Sequence, residues 1–182
     1  MKKVAVFFAD GTEEAEALVP VDLLRRAGAQ VEIIGVGGKK PVGSHGITVM
    51  ADKRLSAVKG EYDLLVLPGG MPGTLNLQKE EKIASMLREQ VGRGGLCAAI
   101  CAAPSILGAL GLLAGKKAVC YPGFEDKLTG AVLQPDGVTV AWDGNVITAK
   151  GMGVATEFGL TLVMALYGKE KAEELGASVI AG

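Results

Sequence analysis

Histidine, cysteine and aromatic residues are scarce in this sequence. Its 182 residues include one histidine, His45, three cysteines and 4% aromatic side chains. A single histidine excludes a metal site built on several histidines, and any Cys–His or Ser–His machinery would have to use His45. Three cysteines are too few, and odd in number, for a disulfide framework, so we expect the protein to work in a reducing cytoplasm.

The chain also lacks an excess of charge of either sign and long apolar runs. Its formal net charge is −1, from 19 basic and 20 acidic side chains, which disfavours binding to nucleic acid or to an anionic membrane. The apolar run after the initial Met-Lys-Lys ends at Asp10, too early for a secretion signal. Later apolar stretches are interrupted by Pro104, Lys116 and glycines, so we expect no transmembrane helix.

Glycine and apolar residues are, by contrast, plentiful. The sequence holds 27 glycines without a collagen-like period, so the glycines must serve tight turns and close backbone approaches. With 49% hydrophobic and 21% charged residues, the composition is that of a globular chain. Because no linker or internal repeat divides the chain, we predict a single domain over residues 1–182.

Short apolar runs alternate with helical patterns along the whole chain. The runs predict strands at residues 4–9, 31–36, 62–67, 96–100, 117–121, 138–142 and 146–148, with a possible short strand at 47–50. Helices are predicted at residues 13–27, 80–93, 104–113, 153–167 and 169–181, and Pro20 should kink the first. This alternation predicts an α/β fold with a mostly parallel central sheet. Ligands of such sheets bind beyond the carboxyl ends of the strands.

Cys101 stands directly after a buried strand and before a helix, where the nucleophile of a strained strand–turn–helix elbow would stand. Small neighbours such as Ala102 leave room for a crowded turn and for a substrate. A helix N-terminus favours negative charge, so we expect a lowered pKa for the Cys101 thiol. The local pattern also allows a buried structural cysteine, which is the interpretation we favour for Cys97 and Cys120.

Gly69 and Gly70 follow the strand at residues 62–67. They could offer paired N–H groups to an oxyanion, and a plain turn explains them equally well.

An acidic segment, Glu13, Glu14 and Glu16, follows the first strand. Acids are favourable at a helix start for dipole reasons alone, and the spacing favours a solvated position for Glu13 and Glu14. Glu16 lies between two alanines and is the least obviously exposed. A buried carboxyl beside Cys101 would be shifted toward its protonated form and could donate a hydrogen bond to sulfur or shuttle a proton.

Four segments together resemble the ThiJ/PfpI superfamily, and are closest to its ThiJ-like branch, which includes the parkinsonism-associated protein deglycase. The most specific segment is A-A-I-C-A-A-P at residues 98–104. The others are G-T-E-E-A-E at 11–16 with P-V-D at 20–22, Y-D at 62–63 with L-P-G-G at 67–70, and the weaker K-G-M-G at 150–153 with E-F-G at 157–159. The resemblance covers nearly the full length and implies a flavodoxin-like three-layer sandwich that forms a homodimer.

The resemblance also implies roles for individual residues. Cys101 would be the reactive thiol and Glu16 its hydrogen-bonding acid. The groups implied to bind an oxyanion near the sulfur are Gly69, Gly70 and the Ala102 N–H. The residues implied to lie near the site across the dimer are Arg26 and His45. The implied activity is a glyoxalase or deglycase reaction on 2-oxoaldehydes such as methylglyoxal or their protein adducts, in carbonyl or oxidative stress defence, with no cofactor and no metal.

Two other functions stay open. One is a redox-sensing or chaperone protein whose Cys101 oxidises to sulfinate. An intracellular cysteine peptidase or amidase is less favoured, because Ala102 stands where the protease-like branch has a histidine and no histidine follows His45. Further departures are Tyr121, where some branch members carry a histidine, and Met152, which replaces a proline of close relatives.

Overall fold

A seven-stranded sheet forms the centre of the computed structural model, which describes residues 1–181. The strands are β1 (Lys3–Phe8), β2 (Gln30–Gly35), β3 (Lys53–Arg54), β4 (Leu64–Leu67), β5 (Leu96–Ile100), β6 (Lys117–Ala118), β7 (Val132–Leu133), β8 (Val140–Asp143) and β9 (Val146–Ala149). The α-helices are α1 (Glu14–Arg26), α2 (Gly73–Gln78), α3 (Glu81–Gly92), α4 (Pro104–Ala109), α5 (Ala155–Tyr167) and α6 (Lys169–Ser178). Short 3₁₀ turns lie at Leu55–Ala57, Glu125–Lys127 and Met152–Val154.

The strand order of the main sheet is β3-β2-β1-β4-β5-β9-β8. All its neighbouring pairs are parallel except β8 with β9. Strands β6 and β7 pair separately. The predicted flavodoxin-like α/β fold with a mostly parallel sheet is therefore confirmed. Because β2 and β4 flank β1 on opposite sides, the chain reverses direction across the sheet at β1, which is where such folds open a crevice.

Alternate residues of the strands enter two separate hydrophobic cores, as the two-residue period of a strand requires. Val6 and Phe8 of β1 pack in the core that includes Phe158 of α5. Phe7, between them, packs in the opposite core with Leu87 of α3. Burial on both faces explains why the strands are continuous apolar runs rather than alternating ones.

Most predicted elements are confirmed with shifts of one or two residues at their ends. Helix α1 runs through Pro20 without a break, and Gly28 follows it with a φ of +93°. The predicted strand at residues 47–50 is wrong, since Val42 and Thr48 form a single isolated bridge there. The predicted strand at 117–121 is limited to β6. The helix predicted at 104–113 ends at Ala109, shortly before Gly111 takes a left-handed φ of +71°.

Within residues 1–181, no helix combines the length and the apolar character that crossing a membrane requires.

Candidate active site

The candidate site lies where three neighbouring parallel strands end. Strand β4 lies between β1 and β5, with Val6 paired to Val66 and Leu67 paired to Ala99. The segments that follow these strands therefore meet at one edge of the sheet. They carry the acid at the start of α1, the glycine pair after β4, and the thiol after β5.

Cys101 occupies a strained backbone position. Its φ is +65°, a conformation that is unfavourable for a side-chain-bearing residue by about 1 kcal/mol. Two backbone hydrogen bonds hold it there: the Cys101 N–H donates to Ala149 O at 2.9 Å, and the Tyr121 N–H donates to Cys101 O at 2.9 Å. The side chain is half-buried, whereas Cys97 and Cys120 are buried. The geometry is that of an elbow that presents the sulfur at the edge of the sheet.

Gly69 lets the acid approach the thiol. A Cβ at Gly69 would lie 2.6 Å from the Cys101 Cβ and 2.7 Å from Glu16 Oε2, so any other residue would push the two apart. The Gly69 N–H donates to Glu16 Oε2 at 2.9 Å. In this structure the Gly69 N–H therefore orients the carboxyl, and its implied part in binding an oxyanion stays a prediction.

The N–H groups of Gly70 and Ala102 face the sulfur. Both hydrogen-bond to the charged form of Cys101 and so act to lower its pKa. Gly70 has a φ of +87°, which glycine adopts without strain. Two backbone donors converging on one point form an arrangement that can also stabilise an oxyanion on an atom bonded to the sulfur.

Glu16 is almost fully buried, and burial is the main reason why its pKa is raised to about 7. Hydrogen bonds from Cys101 and from the N–H groups of Gly69 and Met152 oppose this rise. The carboxyl therefore has a pKa near neutrality, which suits a group that gives and takes protons at physiological pH.

Burial also raises the pKa of the Cys101 thiol, to about 12, and the negative charge of Glu16 adds to the rise. The lowered pKa expected from the sequence is thus wrong for the state in which Glu16 is ionised. Helix α4 is only six residues long and begins three residues after Cys101, so its N-terminal field cannot overcome the loss of hydration. When Glu16 is protonated, the repulsion is removed and its O–H can donate to sulfur, so the pair titrates as a unit.

The segment after strand β9 is a fourth segment that borders the site, and the sequence analysis did not predict it. A Cβ at Gly151 would lie 3.4 Å from the Tyr121 ring and 3.9 Å from Glu16 Oε1, so the ring and the carboxyl border the same small space. Because β9 is parallel to β5 and next to it, its carboxyl end lies at the same edge. The carboxyl-end rule would have found Gly151 and Met152, had the neighbour of β5 been known.

Arg26 and His45 make local contacts within this chain. The Arg26 Nε donates to Asp22 at 2.7 Å, one turn earlier on α1. Ten residues of helix, about 15 Å, separate Arg26 from Glu16. His45 Nδ1 lies 3.1 Å from a carboxylate oxygen of both Glu13 and Glu14. The implied approach of Arg26 and His45 across a dimer stays a prediction.

An acid buried beneath a thiol at a strained elbow, on a flavodoxin-like sheet, defines a class of cysteine-centred α/β proteins. Within that class, residues 2–165 match the model of the DJ-1/PfpI family. The chain belongs to this family, as its resemblance to the ThiJ/PfpI superfamily predicted.

Individual relatives match over nearly the whole chain. A zebrafish (Danio rerio) Parkinson disease protein 7 homolog is 40% identical over 183 residues, covering 98% of this chain and 97% of the relative. A Caenorhabditis elegans protein named glutathione-independent glyoxalase DJR-1.2 is 37% identical, covering 91% of this chain and 89% of the relative. The solved structure of oxidized Toxoplasma gondii DJ-1 superposes with a TM-score of 0.94 at 38% identity, covering 99% of this chain and 98% of that one.

Proposed function

We propose that this protein is a cysteine-dependent, cofactor-independent glyoxalase that acts on 2-oxoaldehydes such as methylglyoxal, and a deglycase for their adducts with proteins. The observation that carries the proposal is the contact of Cys101 with Glu16, a carboxyl whose pKa is raised to about 7 by burial. A nucleophile, a proton carrier and two oxyanion donors are the groups that such a reaction needs. The glyoxalase name of the Caenorhabditis elegans relative supports this activity.

The reaction begins with transfer of the thiol proton to Glu16. The Cys101 thiolate adds to the aldehyde carbon of methylglyoxal, and the resulting hemithioacetal oxygen lies against the N–H groups of Gly70 and Ala102. The hemithioacetal oxygen takes the thiol proton from Glu16, and the Glu16 carboxylate then carries a proton from the former aldehyde carbon to the neighbouring carbon through an enediol, which gives a 2-hydroxyacyl thioester. Water cleaves the thioester, releases lactate and restores the thiol. The net reaction adds one water to methylglyoxal, so no external oxidant or reductant is consumed.

Deglycation is the same chemistry started from an adduct. A 2-oxoaldehyde bound to a protein amine or thiol would be attacked at the same carbon by Cys101, and the protein group would leave with a proton from Glu16. The Cys101 side chain is half-buried, and its neighbours Ala102 and Gly151 carry no bulky side chain that would hinder a small carbonyl group. Both activities therefore depend on one thiol and one acid.

The decisive assay measures lactate formation from methylglyoxal in glutathione-free buffer. Wild type should form lactate above the buffer rate, Cys101→Ala should form none, and Glu16→Gln should lose about 100-fold or more, the usual contribution of a general acid–base group. Cys97→Ala, which removes the buried thiol of strand β5, serves as the matched control and should retain activity. Absence of lactate with folded wild type would refute the proposal.

A redox-sensing role is the second candidate, because Cys101 is the half-buried one of the three cysteines. Its oxidation to sulfinate would place two oxygens among the N–H groups of Gly70 and Ala102 and the Glu16 carboxyl. Intact-mass and peptide analysis under mild peroxide should then find two added oxygens at Cys101 before any at Cys97 or Cys120. Equal oxidation of all three cysteines would contradict a privileged site.

A peptidase role is disfavoured, since the single histidine is engaged by Glu13 and Glu14.

We also propose a homodimer that works in the cytoplasm. The segment after β2 exposes apolar side chains, with Ile47 54% and Met50 60% exposed, and a partner surface would cover them. The sparse, unpaired cysteines suit a reducing compartment. Light scattering on the purified protein should give twice the mass of the chain.

A further inference from the structure

A compact cluster of donor atoms lies outside the thiol site. The loop after β2 folds back onto the start of α1, where the Ser44 N–H donates to Thr12 O at 2.8 Å. This brings His45 and Ser44 against Glu13 and Glu14. His45 Nδ1 is 3.1 Å from Glu13 Oε2, 3.1 Å from Glu14 Oε2 and 3.0 Å from Ser44 Oγ. The ligand atoms of Glu13, Glu14 and His45 all lie within 4.8 Å of one another.

The cluster is not a hydrolytic triad. Ser44 Oγ and Glu14 Oε2 both meet the same ring nitrogen, Nδ1 of His45. In a Ser–His–acid triad the serine and the acid lie on opposite nitrogens, so that a proton can pass through the ring. The cluster therefore cannot relay a proton through the ring.

The spacing of the donors fits one metal ion. Ligand atoms held at about 2.0–2.2 Å from a common ion are separated by roughly 3.0–3.5 Å in tetrahedral or octahedral geometry. The distances from Nδ1, and that of 3.1 Å between Ser44 Oγ and Glu13 Oε2, lie in this range. A set of carboxylate oxygens and an imidazole nitrogen favours a first-row transition ion over Mg²⁺ or Ca²⁺.

Backbone N–H groups hold one oxygen of each carboxylate and leave the other oxygen to face a shared metal ion. The N–H groups of His45 and Ile47 donate to Glu14 Oε1 at 2.8 and 3.3 Å, and the Ala15 N–H donates to Glu13 Oε1 at 3.4 Å. A Cβ at Gly43 would collide with the Glu14 carboxylate, so glycine there makes the room that the carboxylate occupies. Such outer contacts orient metal ligands in known sites.

The two carboxylates of the cluster carry more negative charge than His45 can balance. The Glu14 side chain is 6% exposed and that of Glu13 17% exposed. Among residues 1–181, the ion pairs of both acids are with His45 alone. Even a protonated imidazole brings one positive charge to two carboxylates, so one negative charge is left that a divalent ion would balance.

We propose that Glu13 Oε2, Glu14 Oε2 and His45 Nδ1 bind a divalent transition-metal ion such as Zn²⁺, with Ser44 Oγ and water as further ligands. The single histidine excludes a multi-histidine site, and here the carboxylates supply the remaining protein ligands. The site does not depend on the proposed glyoxalase reaction, since none of its ligands belongs to the thiol site.

The test uses the fact that one histidine gives one set of imidazole signals. Zn²⁺ is titrated into chelator-treated, ¹⁵N-labelled protein, in wild type and in Cys101→Ala, so that binding at the thiol is recognised separately. One equivalent should shift the Nδ1 resonance of His45 in both proteins while Nε2 stays protonated. No shift at Nδ1, or metal binding through the exposed Nε2, would overturn the proposal.

Affinity measurements with a chromogenic Zn²⁺ chelator provide the matched comparison. His45→Ala changes a side chain that is 71% exposed, so it should fold normally, and it should weaken binding at least tenfold, as should Glu13→Gln. The control is the double change Glu173→Gln and Glu174→Gln, which alters another adjacent pair of acids on α6 and should leave affinity unchanged. Unchanged affinity in His45→Ala, or equal loss in the control, would refute the site.

Discussion

Replacing Glu16 with glutamine should change how the stability of the protein depends on pH. Burial raises the pKa of Glu16 from 4.5 to about 7 in the folded state. The folded protein thus holds this proton more tightly than the unfolded chain does. The stabilising contribution is complete below pH 4.5 and is lost as the pH rises through 7.

The size of the effect follows from the two pKa values. A difference between 4.5 and about 7 corresponds to about 3 kcal/mol in the free energy of unfolding, of which about 2.5 kcal/mol is lost between pH 5 and pH 8. No reduction for solvent screening applies, because Glu16 is 1% exposed. Glutamine cannot ionise, yet its amide oxygen can still accept the Gly69 N–H, so Glu16→Gln should fold.

Urea unfolding at pH 5, 6, 7 and 8 measures the difference in stability between Glu16→Gln and wild type. That difference should rise in favour of the variant by about 2.5 kcal/mol across the range. His45, whose pKa is raised by its hydrogen bond to Glu14, is present in both proteins, so its contribution cancels. Glu170→Gln, at an exposed carboxyl on α6, should give a flat difference. A flat or falling difference for Glu16→Gln would refute the buried position of this carboxyl.

Two further substitutions test the close packing at Gly69 and the buried hydrogen bond between Tyr62 and Glu32. Gly69→Ala should destabilise the protein by about 1–3 kcal/mol in thermal unfolding and slow lactate formation, because the new methyl group would lie 2.6 Å from the Cys101 Cβ; a variant with wild-type stability and activity would contradict this contact. Tyr62→Phe should cost about 1–3 kcal/mol, since Tyr62 donates at 2.7 Å to Glu32, a buried carboxylate also held by Lys53. The loss of stability caused by Tyr62→Phe should be smaller in a protein that already carries Glu32→Gln. An equal loss with and without Glu32→Gln would show that the hydrogen bond does not contribute.

The placement of Cys101 and Glu16 could be predicted because it follows from local sequence and one rule of topology. Buried parallel strands are continuous apolar runs, and β1, β4 and β5 all have this pattern. The residues after them are therefore identifiable, and adjacency of the strands brings them together. What periodicity cannot supply is the order of strands across the sheet, which is why Gly151 after β9 was missed. Two-residue strands such as β3 carry too few side chains to show a period at all.

The pKa values of Cys101 and the nearby glutamates could not be predicted from the sequence, for a different reason. A short helix after Cys101 suggested a lowered thiol pKa, but the pKa depends on burial and on the nearest charge, which are properties of the folded site. The same loss of water that raises the pKa of Cys101 also raises that of Glu16. Glu14 shows the reverse case. The solvated position that its spacing favoured is wrong, because the loop at residues 43–47 covers its side chain, which is 6% exposed. Burial opposes ionisation of Glu14, yet N–H groups of the loop at His45 and Ile47 help to lower its pKa to about 2.

The opposite fates of Glu14 and Glu16 follow from the donors that each one meets. Glu14 accepts N–H groups and the His45 ring, so its charge is stabilised although it is buried. Glu16 meets one N–H of Gly69, one of Met152 and a thiol, which is too little to offset burial. A carboxyl with a pKa near 7 beside sulfur can hold the thiol proton while the thiolate reacts, whereas a carboxyl with a pKa near 2 cannot. Exchanging the two roles would require exchanging their donors, so the loop at residues 43–47 and the turn at Gly69, rather than the acids themselves, determine which glutamate can work in proton transfer.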